Sequence, residues 1–314
     1  MATVVQFTQP GPPDVLEVVE VPVPEPGAGQ VLVEMSAVGV NPLDTKIRSG
    51  VRPLPPGGGP YRPGFDGAGV VRTLGEDATG FSEGDRVVVE RTPGTYASHV
   101  VADASALAPL PDAVSFAQAA ALGIPVATAY QSLRSLDVRP GSTLVVHGGS
   151  GAVGQAVLQL AAADDVTVVA TAGEANHDRI RELGGHPVVY GDGLLERLRE
   201  ATPQGVDRVL DIAGTDEALE ASLALVEDPQ HVATLVMGAR AAELGIQAYL
   251  GGSPEPLTEE QQRLRAEAVP AVLPLVADGR FVVEVARELP LGDAAEAHRL
   301  VEAGGLRGKI VLRP

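Results

Sequence analysis

One run of residues near the middle of the chain carries the clearest structural signal: Thr143-Leu-Val-Val-His-Gly-Gly-Ser-Gly-Ala-Val-Gly154. Its apolar first half predicts a buried strand, its glycines predict a tight turn, and the Ala/Leu-rich segment 152–163 predicts a helix. Glycine lets the backbone turn sharply and lets N–H groups approach a diphosphate, whose charge the positive end of a helix dipole stabilises. The run therefore predicts a dinucleotide site, and the alternative is that its glycines only pack a helix on a sheet.

Strands and helices alternate on the C-terminal side of this run. Further β-branched strands are predicted at 166–172, 187–190, 208–212, 231–237 and 246–250. Helices are predicted between them at 177–183, 194–200 and 217–226. This alternation predicts a doubly wound parallel sheet. A helix at 259–277, a strand at 281–289, a helix at 293–302 and a strand at 309–312 are predicted to follow.

The segment before residue 110 has a different texture, with dense Gly and Pro and short apolar runs. Strands are predicted at 31–35, 69–74, 86–89 and 97–101. Short strands bounded by turn residues favour a β-rich, barrel-like unit. The Pro- and Gly-rich segment 52–63 is predicted to be a mobile surface loop.

Composition limits the classes of function. A chain of 314 residues suggests two domains. Its net charge of −18 disfavours nucleic acid and anionic membranes as partners. The absence of cysteine excludes disulfides and thiolate metal sites and fits a reducing cytoplasm. The uncharged stretches 113–133 and 141–163 contain Gly, Gln and Pro or His, and no signal peptide opens the chain, so no membrane segment is expected.

The end of the second predicted strand indicates the cofactor preference. A site that prefers NADH usually carries a carboxylate there, which accepts the ribose hydroxyls. This strand ends on neutral residues, Thr171 to Gly173, and Glu174 is better placed in the first turn of the next helix. His177 and Arg179 are near enough in sequence to contact a 2′-phosphate. The pattern favours NADPH over NADH.

Several motifs in order resemble the medium-chain dehydrogenase/reductase superfamily and, within it, the zinc-independent quinone oxidoreductases of the zeta-crystallin-like group. Besides the glycine run they are Val40-Asn-Pro-Leu-Asp44, Pro63-Gly-Phe-Asp-Gly-Ala-Gly-Val-Val71, Gly80-Phe-Ser-Glu-Gly-Asp-Arg-Val87, Ala120-Ala-Leu-Gly-Ile-Pro125 and Gly308-Lys-Ile-Val311. The resemblance covers nearly the whole chain. It implies an α/β protein with a GroES-like catalytic domain and a Rossmann domain, and a nicotinamide bound in the cleft between them.

The resemblance also implies a division of the chain. The GroES-like domain is expected at 1–121, the Rossmann domain at 122–256, and a C-terminal part of the catalytic domain at 257–314. Zinc-dependent relatives hold their metals with Cys and His. This chain has no cysteine, and its six histidines are scattered, so no zinc and no other active-site metal are expected.

Site residues are carried over by position. Asn41 is expected beside the nicotinamide and substrate, and Thr128 beside the cofactor. The remaining cofactor contacts are expected at Ser150, Gly151, Ala152 and Val153 for the diphosphate, Gly173, His177 and Tyr190 for the 2′-phosphate, and Met237 and Gly238 for the nicotinamide. The family's 2′-phosphate lysine is missing, and His177 stands in its region.

Several of these residues also have a purely structural interpretation. Asn41 precedes Pro42 and stands three before Asp44, which is typical of a helix N-cap. Tyr61 is a candidate proton donor or substrate contact, or a surface aromatic. For Asp66, Tyr96 and His147 we favour a structural turn, a packed barrel residue and a strand-end hydrogen bond, respectively.

The resulting hypothesis is a metal-free hydride transfer from NADPH to a quinone or enone. Asn41, Tyr61, backbone N–H groups or water are the candidate stabilisers of the oxyanion that forms. The alternatives are an enoyl-type reductase of the same superfamily and a non-catalytic NADPH-binding protein of the crystallin or sensor type. The apolar segment 244–250 is predicted to be an edge strand through which the chain forms a homodimer.

Overall fold

The computed structural model describes residues 1–54, 58–249 and 256–314. Two compact units are present: Met1–Ile124 together with Val269–Pro314, and Pro125–Ala268. The predicted combination of a β-rich unit and a parallel-sheet unit is confirmed. Residues 257–268 belong to the second unit rather than to the first, because Arg265 is buried there and donates a hydrogen bond to Thr128 Oγ1 at 3.1 Å.

The elements follow one another in this chain order. The strands are β1 (Ala2–Gln6), β2 (Glu17–Val21), β3 (Gln30–Val40), β4 (Asp66–Leu74), β5 (Arg86–Val89), β6 (His99–Asp103), β7 (Leu107–Pro109), β8 (Thr143–His147), β9 (Thr167–Thr171), β10 (His186–Val188), β11 (Arg208–Asp211), β12 (Val232–Thr234), β13 (Gln247–Ala248), β14 (Val285–Pro290) and β15 (Lys309–Arg313). The helices are α1 (Pro42–Arg48), α2 (Phe116–Ala120), α3 (Gly123–Ser135), α4 (Ala152–Ala163), α5 (His177–Glu182), α6 (Leu194–Ala201), α7 (Asp216–Leu225), α8 (Gly238–Leu244), α9 (Glu259–Ala277) and α10 (Ala294–Ala303). Short 3-10 helices lie at Pro13–Val15, Ala104–Ala106, Glu174–Asn176, Pro229–His231 and Leu291–Asp293.

The first unit is built on a seven-stranded sheet. Its order is β14-β15-β3-β4-β5-β7, with β6 paired to β3. The pairs are antiparallel except β14 with β15. Apolar side chains such as Val33, Val71 and Val87 form a fully buried core within it. β1 and β2 form a separate two-stranded sheet.

The second unit contains a parallel sheet of six strands in the order β10-β9-β8-β11-β12-β13. The central strands are continuous apolar runs, as expected of a sheet covered by helices on both faces. Val145, Val169, Val209 and Val232 are fully buried in it. This strand order is that of a doubly wound dinucleotide-binding sheet, which confirms the predicted Rossmann class.

Two of the predicted strands are less than half as long as the sequence suggested. β12 ends at Thr234 because the hydroxyl of this residue accepts the N–H groups of Val236 and Met237, at 3.1 and 3.0 Å. The predicted strand 246–250 is reduced to Gln247–Ala248, and Leu250 lies outside the described residues. Helix α8, between these strands, was not predicted.

Part of the predicted loop 52–63 lies outside the described residues, namely 55–57. Its second half is tied to the end of β1, where the N–H groups of Phe7 and Tyr61 each donate to the other's carbonyl at 2.9 and 2.8 Å. In the described ranges, no helix has both the length and the apolar character of a membrane-spanning segment.

Candidate functional site

The glycine turn of the second unit connects β8 to α4. The N–H groups of Gly148 and Gly149 donate to Thr171 Oγ1 and to the Thr171 carbonyl, at 3.2 and 3.0 Å, so the turn is anchored to the end of β9. Gly151 is the N-cap of α4. The first N–H groups of a helix lack intrahelical partners and attract anions. The predicted diphosphate contacts, Ser150 to Val153, therefore lie where a helix can bind one.

Gly154 allows the close packing of the turn. A Cβ at this position would lie 2.7 Å from two backbone atoms of Gly149 and would also meet the Gly148 carbonyl oxygen. Backbone atoms cannot move aside as a flexible side chain can, so only glycine fits here. The requirement matches the third glycine of a dinucleotide-binding turn, which brings helix and strand close together.

A cavity of about 180 Å³ opens beside this turn. It lies at the carboxyl ends of β8, β9 and β11, where doubly wound sheets bind ligands. Two predicted residues, Ser150 and Tyr190, line it. The other lining residues are His147, Gly148, Thr171, Ala172, Leu194, Ala213, Thr215, Glu217 and Ala218. Glu217, which accepts the Gly191 N–H at 3.2 Å, was not foreseen, because nothing in its helical surroundings marks it in the sequence.

Two buried polar pairs lie at the carboxyl ends of β8, β9, β11 and β12. His147 Nδ1 is 3.3 Å from Thr171 Oγ1, and its Nε2 has no hydrogen-bond partner among the described residues. Burial lowers the pKa of His147 to about 4, against the opposing charge of Asp211, so the ring is neutral at pH 7. Asp211 accepts the hydroxyl of Thr234 at 2.7 Å and the N–H groups of two residues of the loop after β11. These bonds order the loops that surround the cavity.

The predicted 2′-phosphate residues come from two neighbouring loops. Gly173 follows β9, and a Cβ there would lie 3.4 Å from the Tyr190 hydroxyl, so these two residues are close together. Tyr190 is 60% exposed and available to a ligand. His177 begins α5 and donates from Nε2 to the Ala172 carbonyl at 3.3 Å. Arg179 donates to Glu182 and Gln155, at 3.1 and 3.4 Å, and so is held by the protein.

The other predicted cofactor residues lie apart from the cavity. Thr128 is buried in α3 and accepts a hydrogen bond from Arg265. Met237 caps α8, and Gly238 is its first residue. The Arg265 contact was not predicted, since this residue lies 137 positions after its partner.

The first unit contains a buried polar row at the ends of three adjacent strands, β15, β3 and β4. Asn41 is 1% exposed. Lys309 donates to Asn41 Oδ1, and Asn41 Nδ2 donates to Asp66 Oδ2 at 3.0 Å. Asp66 also accepts the Ile124 N–H at 2.9 Å and has Lys309 Nζ at 3.8 Å. Because lysine only donates and the carboxylate accepts, the Asn41 amide has a fixed orientation, with its oxygen toward Lys309 and its nitrogen toward Asp66.

A second set of contacts holds the neighbouring Asp44. Its Oδ2 accepts the Asn41 backbone N–H at 2.8 Å and the Tyr96 hydroxyl at 3.1 Å. Burial raises the pKa of Asp44 to about 7, Asp66 adds to the rise, and the Asn41 N–H and Lys309 oppose it. Asn41 therefore stands at the N-cap of α1, as its structural interpretation required. Its side chain also bonds to Lys309 and Asp66.

Tyr61 does not join this row. Its ring packs against Phe7 at a centroid distance of 5.6 Å. In the part of the chain that the structure describes, no hydrogen bond links it to Asn41, Asp66 or Lys309.

The part of the chain that the structure describes has no grouped set of zinc ligands. In residues 1–54, 58–249 and 256–314, no three His, Asp or Glu side chains are grouped so as to hold a metal ion. The chain also has no cysteine. No catalytic step is therefore assigned to a metal.

Comparison with known proteins gives matches over nearly the whole chain. The family model "Alcohol dehydrogenase GroES-like domain" matches residues 27–112, and "Zinc-binding dehydrogenase" matches residues 183–312. A Homo sapiens quinone oxidoreductase is 32% identical, and the alignment covers 96% of this chain and 94% of that protein. A Salmonella typhimurium quinone oxidoreductase is 33% identical with full coverage of both chains.

Solved structures of quinone oxidoreductases are also similar to this chain. A crystal structure of Escherichia coli quinone oxidoreductase complexed with NADPH is similar with a TM-score of 0.86 and 29% identity. The match covers 99% of this chain and 100% of that one.

Proposed function

The chain belongs to the quinone oxidoreductase group of the medium-chain dehydrogenase/reductase superfamily and is an NADPH-dependent oxidoreductase, and from this premise we propose that it reduces a quinone or enone without a metal. The observation that carries the proposal is the glycine turn before α4, with the helix N-terminus that follows it and the adjoining cavity. A turn of this shape holds the diphosphate of a dinucleotide.

The residues of the second unit fit NADPH. The N-terminus of α4 would hold the diphosphate through Ser150 to Val153, and the adjoining cavity would take the adenosine. Gly173, His177 and Tyr190 would surround the 2′-phosphate. When bound, NADPH supplies a hydride from its nicotinamide ring. The neutral end of β9 supports NADPH over NADH, since a carboxylate there would repel the 2′-phosphate.

The polar row of the first unit suits a carbonyl substrate. The Asn41 amide has a fixed orientation, and Lys309 contributes a positive charge behind it. Such preorganised donors stabilise the negative charge that develops on a carbonyl oxygen when it is reduced. A quinone needs less of this stabilisation than a simple ketone because its reduced form is aromatic. The absence of cysteine supports a reaction without zinc.

A steady-state assay tests the function. We expect NADPH oxidation, followed by absorbance, to be accelerated by the protein with quinones and enones as acceptors. Oxidation only at the rate without enzyme would contradict the proposal. Turnover confined to enoyl thioesters would instead indicate an enoyl-type reductase. Tight NADPH binding with no acceptor consumed would indicate a non-catalytic binding protein.

The substitution Gly173→Asp tests the cofactor preference. Gly173 has an extended backbone, and a Cβ there makes only an ordinary contact with Tyr190, so the variant should fold. The new carboxylate would accept ribose hydroxyls and repel the 2′-phosphate. We expect NADPH affinity to fall by about 10-fold or more, corresponding to about 1.4 kcal/mol, while NADH affinity rises. Fluorescence titration with both cofactors measures this, and unchanged affinities would show that the 2′-phosphate lies elsewhere.

We also expect a homodimer formed through the edge of the parallel sheet. β13 is an edge strand in the sheet order, and an unpaired edge can pair with its copy in a second chain. Light scattering at micromolar concentration should give the mass of two chains. A monomer mass would contradict this assembly.

A further inference from the structure

The polar row of the first unit continues one strand beyond Asp66. The register of β4 and β5 pairs Gly67 with Val89, so Glu90 follows as the next position opposite Asp66. Residues opposite each other in an antiparallel pair share one face of the sheet. Lys309, Asn41, Asp66 and Glu90 thus lie at the ends of four adjacent strands, β15, β3, β4 and β5.

The backbone fixes Glu90 in this position. Its N–H donates to the Ala106 carbonyl at 2.9 Å, and its own carbonyl accepts the Thr92 hydroxyl at 3.0 Å. The next residue, Arg91, has a φ of +51°, in the left-handed region that residues other than glycine rarely adopt. The side chain of Glu90 is 4% exposed and that of Arg91 41%. The turn therefore holds the carboxyl inside while the neighbouring guanidinium reaches solvent.

Asp66 and Glu90 differ in their partners. Asp66 accepts hydrogen bonds from Asn41 and Ile124. The Glu90 carboxyl forms an ion pair with the Arg91 guanidinium at 3.6 Å, and in the described ranges no hydrogen bond to this carboxyl is present. At this distance the ion pair leaves the hydrogen-bonding capacity of the carboxyl unused. An oxygen-bearing ligand would therefore find a hydrogen-bond donor in the protonated carboxyl.

The surroundings of Glu90 favour the protonated form of its carboxyl. Burial raises its pKa to about 7, Arg91 opposes the rise, and Asp66 adds to it. Arg91 on the same turn and Asp66 on β4 are the charged groups that face it, and Lys309 and Asp44 lie beyond Asp66. Two neighbouring carboxyls with such different environments typically divide their roles, one accepting hydrogen bonds and the other giving a proton.

We propose that Glu90 is the general acid that protonates the reduced carbonyl oxygen. The inference rests on the proposed function, because hydride transfer to a quinone or enone leaves an oxyanion. In the step, the O–H bond of Glu90 breaks and the O–H bond of the product forms. The Glu90 carboxylate then regains a proton from water. Each turnover thus consumes one hydride from NADPH and one proton from the solvent, which balances atoms and charge.

The pH profile of kcat for wild type and Glu90→Gln tests this role. The kcat of the wild type should fall as pH rises through about 7, where Glu90 loses its proton. In Glu90→Gln this fall should vanish, and kcat at pH 6 should be lower by about 100-fold with an enone, within the usual range for a general acid. The loss should be smaller with a quinone, whose reduced anion is a weaker base than an enolate. Glu90→Asp should keep part of the pH dependence.

Controls separate catalysis from folding. Glu83→Gln, an exposed carboxyl on the same unit, should match the wild type. NADPH affinity should be unchanged in Glu90→Gln. If Glu90→Gln keeps the wild-type profile and rate, the Glu90 role is wrong while the proposed function stands. If the wild type itself turns over no quinone or enone, the proposed function fails, and the Glu90 role fails with it.

A second readout needs neither cofactor nor substrate. A carboxyl whose pKa is raised from 4.5 to about 7 on folding makes the protein less stable as pH rises through that window. The denaturant midpoint of the wild type should therefore fall more than that of Glu90→Gln between pH 5 and pH 8. Equal falls in the two proteins would contradict a protonated, buried Glu90.

Discussion

Replacing Gly154 by alanine is expected to weaken NADPH binding strongly. The new Cβ would lie 2.7 Å from the Gly149 backbone and against the Gly148 carbonyl oxygen, so the first turn of α4 must move away from the glycine turn. The N–H groups that face the diphosphate would then be misplaced. Loss of two hydrogen bonds to a charged group, at about 1.5–3 kcal/mol each, corresponds to a fall in affinity of about 100-fold or more.

Calorimetric titration with NADPH measures this loss, and Gly292→Ala provides the control. Gly292 is a glycine with open space around its Cβ position, so the same exchange should leave both affinity and stability unchanged. An NADPH affinity of Gly154→Ala within about twofold of the wild type would mean that the diphosphate does not bind at this turn.

The second large effect is expected for Lys309→Met. Lys309 is buried, donates to Asn41 and lies 3.8 Å from Asp66. Burial lowers the pKa of Lys309, and the nearby Asp66 and Asp44 oppose that fall. Removing one partner of a buried charge pair typically costs about 3–5 kcal/mol in the free energy of unfolding. The loss should be larger at pH 8 than at pH 5.5, since Asp44, with a pKa of about 7, holds its proton at the lower pH.

Denaturant unfolding of three variants checks this account. Lys309→Met combined with Asp66→Asn should recover much of the lost stability, because the uncompensated charge is gone. Arg313→Met, on the same strand but in a half-exposed ion pair with Glu288, should change stability by no more than about 1 kcal/mol. If Lys309→Met lost no more stability than Arg313→Met, the charges of Lys309 and Asp66 would not stabilise each other.

The parallel-sheet unit was largely predictable from the sequence because its signals are local. The strand β8, the glycines and the helix α4 follow one another directly, and their periodicities differ clearly. The boundary near residue 257 was harder to predict. It depends on the distant contact between Arg265 and Thr128, which no local pattern records.

The contacts within the polar row could not be predicted from the sequence, because they join residues that are far apart in the chain. Asn41 was singled out by its motif, but its partner Lys309 lies 268 positions away. The sequence predicted a turn role for Asp66 and no role for Glu90. Their proximity follows from the register between β4 and β5, where a shift of one residue would turn Glu90 to the opposite face.

The central claim, that the turn from Gly148 to Gly154 binds NADPH, is tested most directly by calorimetric titration of the wild-type protein with NADPH and NADH. We expect saturable binding of one NADPH per chain, with a dissociation constant of about 1 μM to 1 mM, the range usual for enzyme ligands, and weaker binding of NADH. No heat with either nucleotide would contradict the claim.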